Sequence, residues 1–231
     1  MYLQTGKIQA VLKMDDGGMI CELDSYLLAH NFGDTLRRQA EHYYRKIHQR
    51  EDSPHEHSGA GIASAHERLS FKNKIIAEDM VADDHARGLF VDRLNGDFLT
   101  YRHEPSSADD SVCQTEVYSQ YVRKSVALAG NWLQVSYLFA AEAEGVFCTE
   151  INLAMPSCDG WGGRYIYRGQ IPCGFGELLE LSSMTDITLD DDVLGGSVEL
   201  KVSVPAELHA QPYYSVSQSE EGFEKIMQAV T

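Results

Sequence analysis

The chain has 231 residues, enough to bury one sizeable core, and 43% of them are hydrophobic, which excludes a disordered polypeptide. Its 35 acidic against 19 basic residues leave a formal net charge of −16, a field that repels phosphate backbones and anionic bilayers and so argues against nucleic acid and membrane partners. No apolar run approaches the length of a membrane span, and no basic start followed by an apolar stretch marks a signal peptide. Five cysteines (Cys21, Cys113, Cys148, Cys158, Cys173) lack CxxC spacing, and several lie in apolar runs. They read as reduced thiols acting as small core hydrophobes, which sets the expected location in a reducing cytoplasm.

In chain order, Lys7 to Leu12 reads as a strand, Asp15-Asp16-Gly17-Gly18 as a turn, and Met19 to Leu23 as the hairpin partner. Residues 51–63 are polar with Pro and Gly, as in a loop. Ser64 with Glu67 fits a capping box, and Leu69, Ile76 and Met80 keep a rough helical spacing; together they predict one short helix near 64–82. From residue 86 strand follows strand: 87–92, 97–102, 113–123, 125–129, 131–140, 145–155, 177–182, 184–189, 196–204 and 213–218. Turns such as Asn95-Gly96, Ala129-Gly130-Asn131 and Leu194-Gly195-Gly196 separate several of them. Leu133, Val135, Tyr137 and Phe139 alternate with more polar neighbours, which predicts a strand with one face in the core. Many closely spaced strands without βαβ alternation predict a mainly β protein, a large twisted antiparallel β-sandwich, in a single domain over 1–231.

Several blocks point to a family. Gly17-Gly18-Met19-Ile20-Cys21-Glu22-Leu23-Asp24 is followed by Asn31-Phe32-Gly33-Asp34-Thr35-Leu36-Arg37-Arg38, then by Glu41, Tyr43 and Ser64-Ala65-His66-Glu67. Asp84, Arg87, Phe90, Val91 and Asp92 come next, then Glu150-Ile151-Asn152-Leu153, and finally Val216-Ser217-Gln218-Ser219-Glu220-Glu221-Gly222-Phe223-Glu224. In this order, across about nine tenths of the chain, the blocks resemble the C-terminal β-sandwich domain of the α-amylase and 4-α-glucanotransferase enzymes of glycoside hydrolase family 57. Tyr44 stands where that family usually has His. The resemblance implies a galactose-mutarotase-like sandwich, or supersandwich, with further family strands beyond both ends of this chain. It also implies an accessory role: the family's catalytic nucleophile and acid lie on a separate barrel, and no position here corresponds to them. The expected partners are an α-glucan or another oligosaccharide and a catalytic-domain protein. No catalytic residue, metal or cofactor is expected in the chain itself.

The candidate binding residues are Asp159, Trp161, Arg164 and Tyr165 in the glycine-bearing stretch 159–168, together with Glu150 and Asn152 on one face of a strand. Sugar rings present flat C–H faces that an aromatic side chain can cover, and hydroxyls that charged groups can bond. The bland alternative packs Trp161 on the sandwich or at a partner interface, and makes Glu150 and Asn152 part of a structural polar network. A second function class, a mutarotase-like enzyme, would use Glu150 or Glu177 with His66 as acid and base. A third is a purely structural interaction module. Asp24, Asp34, Arg37, Arg38 and Glu41 read as an ion-pair network, His55-Glu56-His57 as a solvated loop, and Asp190-Asp191-Asp192 as a charged turn. An exposed sandwich edge would favour a homodimer.

Overall fold

A computed structural model describes residues 1–45, 47, 74–103, 113–158, 160–219 and 222–231. The first sheet carries β1 (Tyr2–Gln4), β2 (Ile8–Lys13), β3 (Met19–Ser25), β5 (Leu89–Leu94) and β10 (Phe147–Ile151) side by side, with β4 (His30–Asn31) on β3 and β6 (Asp97–Phe98) on β5. The expected first hairpin is present: β2 pairs antiparallel with β3, and Gly17 and Gly18 at its turn take φ of 67° and 61°, where a side chain would be strained. Along β2, Ile8, Ala10 and Leu12 are buried while their neighbours are more open, which is the period-2 signature of a half-buried strand.

A three-stranded meander, β7 (Gln114–Tyr118), β8 (Val122–Ala129) and β9 (Trp132–Phe139), lies against this sheet. The contact is visible in side chains that cross the gap: Tyr137 on β9 donates to Asp92 on β5 at 2.7 Å, and Lys124 on β8 donates to the Phe90 carbonyl at 2.6 Å. Two layers meeting through their inner faces make a β-sandwich. A further sheet holds β11 (Gly163–Ile166), β12 (Leu179–Asp191) and β13 (Gly196–Ala210), and a final hairpin pairs β14 (Pro212–Ser219) with β15 (Gly222–Val230). Val230 bridges to Leu153, which ties that hairpin back to the segment after β10. The principal core runs from Leu3, Leu12 and Ile20 through Val126 and Leu153 to Ile187, Leu189 and Val230, so every sheet contributes to it.

The structure adjusts several expectations. The runs 177–182 and 184–189 form one strand, β12, which bends at irregular pairing around Met184 instead of ending. The stretch 97–102 is regular only at Asp97–Phe98; Arg102 makes an isolated bridge to Tyr118. Residues 222–230, not expected as a strand, pair throughout β14. Most of the expected helix, including Ser64, His66, Glu67 and Leu69, lies outside the described residues, as do the loop 51–63 and His55-Glu56-His57. In its described part Ala77–Met80 forms a single 3-10 turn, with the Ile76 amide held by the Asp79 carboxylate at 2.9 Å. No disulfide joins the five cysteines, but Cys148 is exposed, so its place in an apolar run did not make it a core residue.

Candidate functional site

Trp161 is the most exposed large hydrophobic residue described, at 103% of its reference area. The segment that carries it is anchored on both sides. Asp191, buried at the end of β12, accepts from the Ser157 amide at 2.9 Å and the Ser157 hydroxyl at 2.6 Å, and also from the amides of Val193 and Leu194. The Asp192 amide donates to the Gly162 carbonyl at 3.0 Å. Gly163 is pressed against Phe175, whose ring would stand 2.1 Å from an added Cβ. A fully exposed side chain is thus presented from a backbone held at Ser157 on one side and at Gly162 and Gly163 on the other. The run Asp190-Asp191-Asp192 is therefore more than a charged turn: its middle carboxylate organises this loop from the inside.

The other residues expected around Trp161 behave differently. Asp159 lies outside the described residues. Tyr165 is 1% exposed and packs edge-on to Phe175 in the core, because it falls on the inward-facing parity of β11. It is removed from the set that can touch a ligand. Arg164, on the outward parity, holds Asp192 through two bonds of 2.9 and 3.0 Å and also reaches Asp190. Its terminal nitrogens serve those carboxylates and fix the base of the loop, so the expected role of bonding sugar hydroxyls passes away from it.

Glu150 and Asn152 belong to a second, more enclosed constellation. Glu150 accepts from Arg87 at 2.7 Å, His85 at 3.1 Å and Asn152 at 2.8 Å. Burial pushes its carboxyl up, yet the bonds from His85 and Asn152 and the charge of Arg87 outweigh this and hold its pKa at about 2. Asn152 is fully buried; it donates to the Gly88 carbonyl at 2.9 Å and accepts from Thr231 at 2.6 Å. It sits between the end of β10 and the chain's last residue and does not reach the surface. Arg87 continues to Asp83, which also takes Arg38 through its side chain (2.9 Å) and its amide (2.7 Å), and Tyr213. Burial raises the Asp83 carboxyl, but Arg87, Arg38 and Tyr213 together pull it well below the usual carboxylate range. Both guanidinium groups lie over the Tyr213 ring, at 4.9 Å for Arg38 and 4.6 Å for Arg87. His85 is held by Glu150 and by Asp84 at 2.5 Å, and its pKa is raised, chiefly by the Glu150 bond.

This network joins the segment after β4, the segment before β5, β10 and β14. Sequence reasoning singled out Glu150, Asn152 and Arg38 but paired Arg38 with its neighbours in the chain, whereas its carboxylate partner is Asp83. Asp83, His85 and Tyr213 were missed as participants. The run Asp83-Asp84-His85-Ala86-Arg87 was the available signal, since alternate charges packed that tightly need partners. Tyr44, at the family's usual His position, is buried in a satellite core with Ile47, Met80, Val216 and Phe223. Glu177 accepts from the Gly174 amide at 3.0 Å, in the loop that leads to β12.

A layered antiparallel arrangement of this kind defines a β-sandwich protein, and a solved structure shares it: the 4-α-glucanotransferase of Thermococcus litoralis superposes with a TM-score of 0.67 at 19% identity, over 99% of this chain and 34% of that one. The profile of the family "Alpha-amylase/4-alpha-glucanotransferase, C-terminal" matches residues 1–111 and 96–231, so the chain belongs to that family. Among curated relatives, a 4-α-glucanotransferase of Thermococcus kodakarensis is 28% identical over 254 residues, and an α-amylase of Pyrococcus furiosus is 23% identical over 251. Both alignments cover all of this chain but only 36% and 35% of those proteins, so the chain spans about a third of the length of its relatives.

Proposed function

We propose that this chain is a non-catalytic accessory module, a single β-sandwich domain that binds an α-glucan and works beside a catalytic domain of the glycoside hydrolase family 57 type. The observation that carries the reading is Trp161. A fully exposed indole on an anchored loop is a large apolar surface with little to lose on binding, which suits the C–H face of a sugar ring. The state of the enclosed carboxylates supports the non-catalytic part. Glu150 is committed to three donors and held at about 2, far from the range that a proton-shuttling group needs near neutrality. Both ring nitrogens of its neighbour His85 are engaged by carboxylates.

The chain has only two tryptophans, Trp132 and Trp161, so each can report on its own surroundings. In a Trp132→Phe protein, titration with maltoheptaose is expected to give a saturable change in Trp161 fluorescence at up to millimolar ligand. Isothermal titration of a Trp161→Ala protein is expected to show the corresponding heat reduced by at least about tenfold in affinity, as for loss of a stacking platform. An unresponsive Trp161 would overturn its assignment. Release of reducing sugar from maltooligosaccharides by the chain alone would overturn the non-catalytic part.

A further inference from the structure

The solvent-facing side of the β7–β8–β9 meander is built differently from its core side. Strand register sets the outward side chains in rows: Tyr118, Arg123 and Leu138; Glu116, Ser125 and Ser136; Gln114, Ala127 and Gln134; then Ala129 with Trp132. The central strand contributes only small side chains, Ser125, Ala127 and Ala129, over the last five of its eight residues. Gln114 and Gln134 stand on either side of Ala127, and Trp132 stands beside Ala129, which leaves a shallow trough over the end of β8. From Ser125 to Ala129 the floor spans four residue steps, about 13 Å at strand rise.

The chemistry of the walls is specific. Glu116 is fixed by the Tyr118 hydroxyl at 2.7 Å and the Ser125 hydroxyl at 3.0 Å. Gln134 spends one N–H on Ser136 at 3.3 Å, and an amide has a second N–H and a carbonyl to offer. Gln114, Gln134 and Ser136 are exposed, and Trp132 is 48% exposed at the open end. The Lys201 ammonium from β13 stands 5.3 Å from the Trp132 ring centroid and steadies it from one side. An aromatic wall, two amides, hydroxyls, one carboxylate already held by two of those hydroxyls, and a floor of small residues match a neutral, hydroxyl-rich chain. A polyanion meets the net charge of −16. A protein partner would need a broad apolar centre, and the middle rows are polar.

We infer that this trough is a second binding surface, for an extended neutral oligosaccharide lying along β8 with one ring on Trp132. The inference rests on the reading of the chain as a glucan-binding module but uses different residues from the Trp161 loop. In a Trp161→Ala protein Trp132 is the sole tryptophan. Maltoheptaose is expected to shift its fluorescence saturably, with at least fivefold weaker binding after Gln134→Ala. Ala127→Arg, which fills the trough from an outward position, is expected to abolish the response while leaving the unfolding transition in place. A saturable Trp161 signal in Trp132→Phe with a silent Trp132 in Trp161→Ala would overturn the trough and leave the loop standing; the reverse pattern would keep the trough and remove the loop. If the wild-type chain sediments as a dimer that Ala127→Arg dissociates, with sugar binding unchanged, the face serves self-association and the inference is overturned.

Discussion

At the scale of single residues, the Glu150–His85 pair makes stability depend on pH from both sides. Glu150 has a folded pKa of about 2 against an ordinary 4.5, so its contribution is complete above 4.5 and is lost as pH falls from there toward 2. His85 has the opposite sign. Its folded pKa is raised above 6.5, chiefly by the bond to Glu150, so its contribution is complete below 6.5 and is lost as pH climbs through the raised value. The two limbs leave a plateau between them. Thermal unfolding followed across pH 3 to 9 is expected to fall at both ends of that range on the order of a few degrees. His85→Gln should flatten the alkaline limb, and Glu150→Gln should lower stability across the plateau. An alkaline limb that persists unchanged in His85→Gln would place its origin in another group.

At the scale of elements, β8 shows what a strand pattern conceals. Val122, Val126 and Leu128 face inward on alternate positions, and so does Lys124, which is fully buried. Its ammonium pairs with Asp92 on β5 at 2.9 Å and donates to the Phe90 carbonyl; Asp92 in turn takes hydroxyls from Tyr137 and Thr149 at 2.7 Å each. Burial lowers the Lys124 pKa and the Asp92 charge opposes that fall. Two charges removed from water are tolerable only while both remain. Lys124→Met is expected to cost about 3–5 kcal/mol in urea unfolding, because it strands Asp92 between two sheets. The double change Lys124→Met with Asp92→Leu should recover most of that loss. A single variant as stable as wild type would show that Asp92 escapes the gap without its partner.

At the scale of the whole molecule, a net charge of −16 spread over one compact chain opposes its own folding by self-repulsion. The screening length shrinks from about 10 Å at 0.1 M salt to about 3 Å at 1 M. Surface repulsion is then damped, whereas enclosed pairs such as Arg87–Glu150 and Lys124–Asp92 change little. The melting temperature is expected to rise by a few degrees between 0.02 and 0.5 M NaCl, measured by scanning calorimetry. A fall would mean that exposed ion pairs such as Lys201–Glu199 outweigh the repulsion.

By itself the sequence determined the β character, the first hairpin and most strand positions, because the period-2 pleat writes itself locally into alternation and turn residues. The ordered blocks from Gly17 to Glu224 also carried the family, while Trp161 between glycines was legible as a candidate binding ring, with packing on the sandwich as the open alternative. Only the tertiary structure decided which face of each strand is covered and which distant charges meet. Tyr165 and Trp161 lie four residues apart, yet one is sealed against Phe175 and the other stands in solvent. Arg38 finds Asp83 forty-five positions away, and Lys124 finds Asp92 across the sandwich. Those outcomes depend on how separate sheets stack, and stacking is set by the sum of many long-range contacts that no local spacing records.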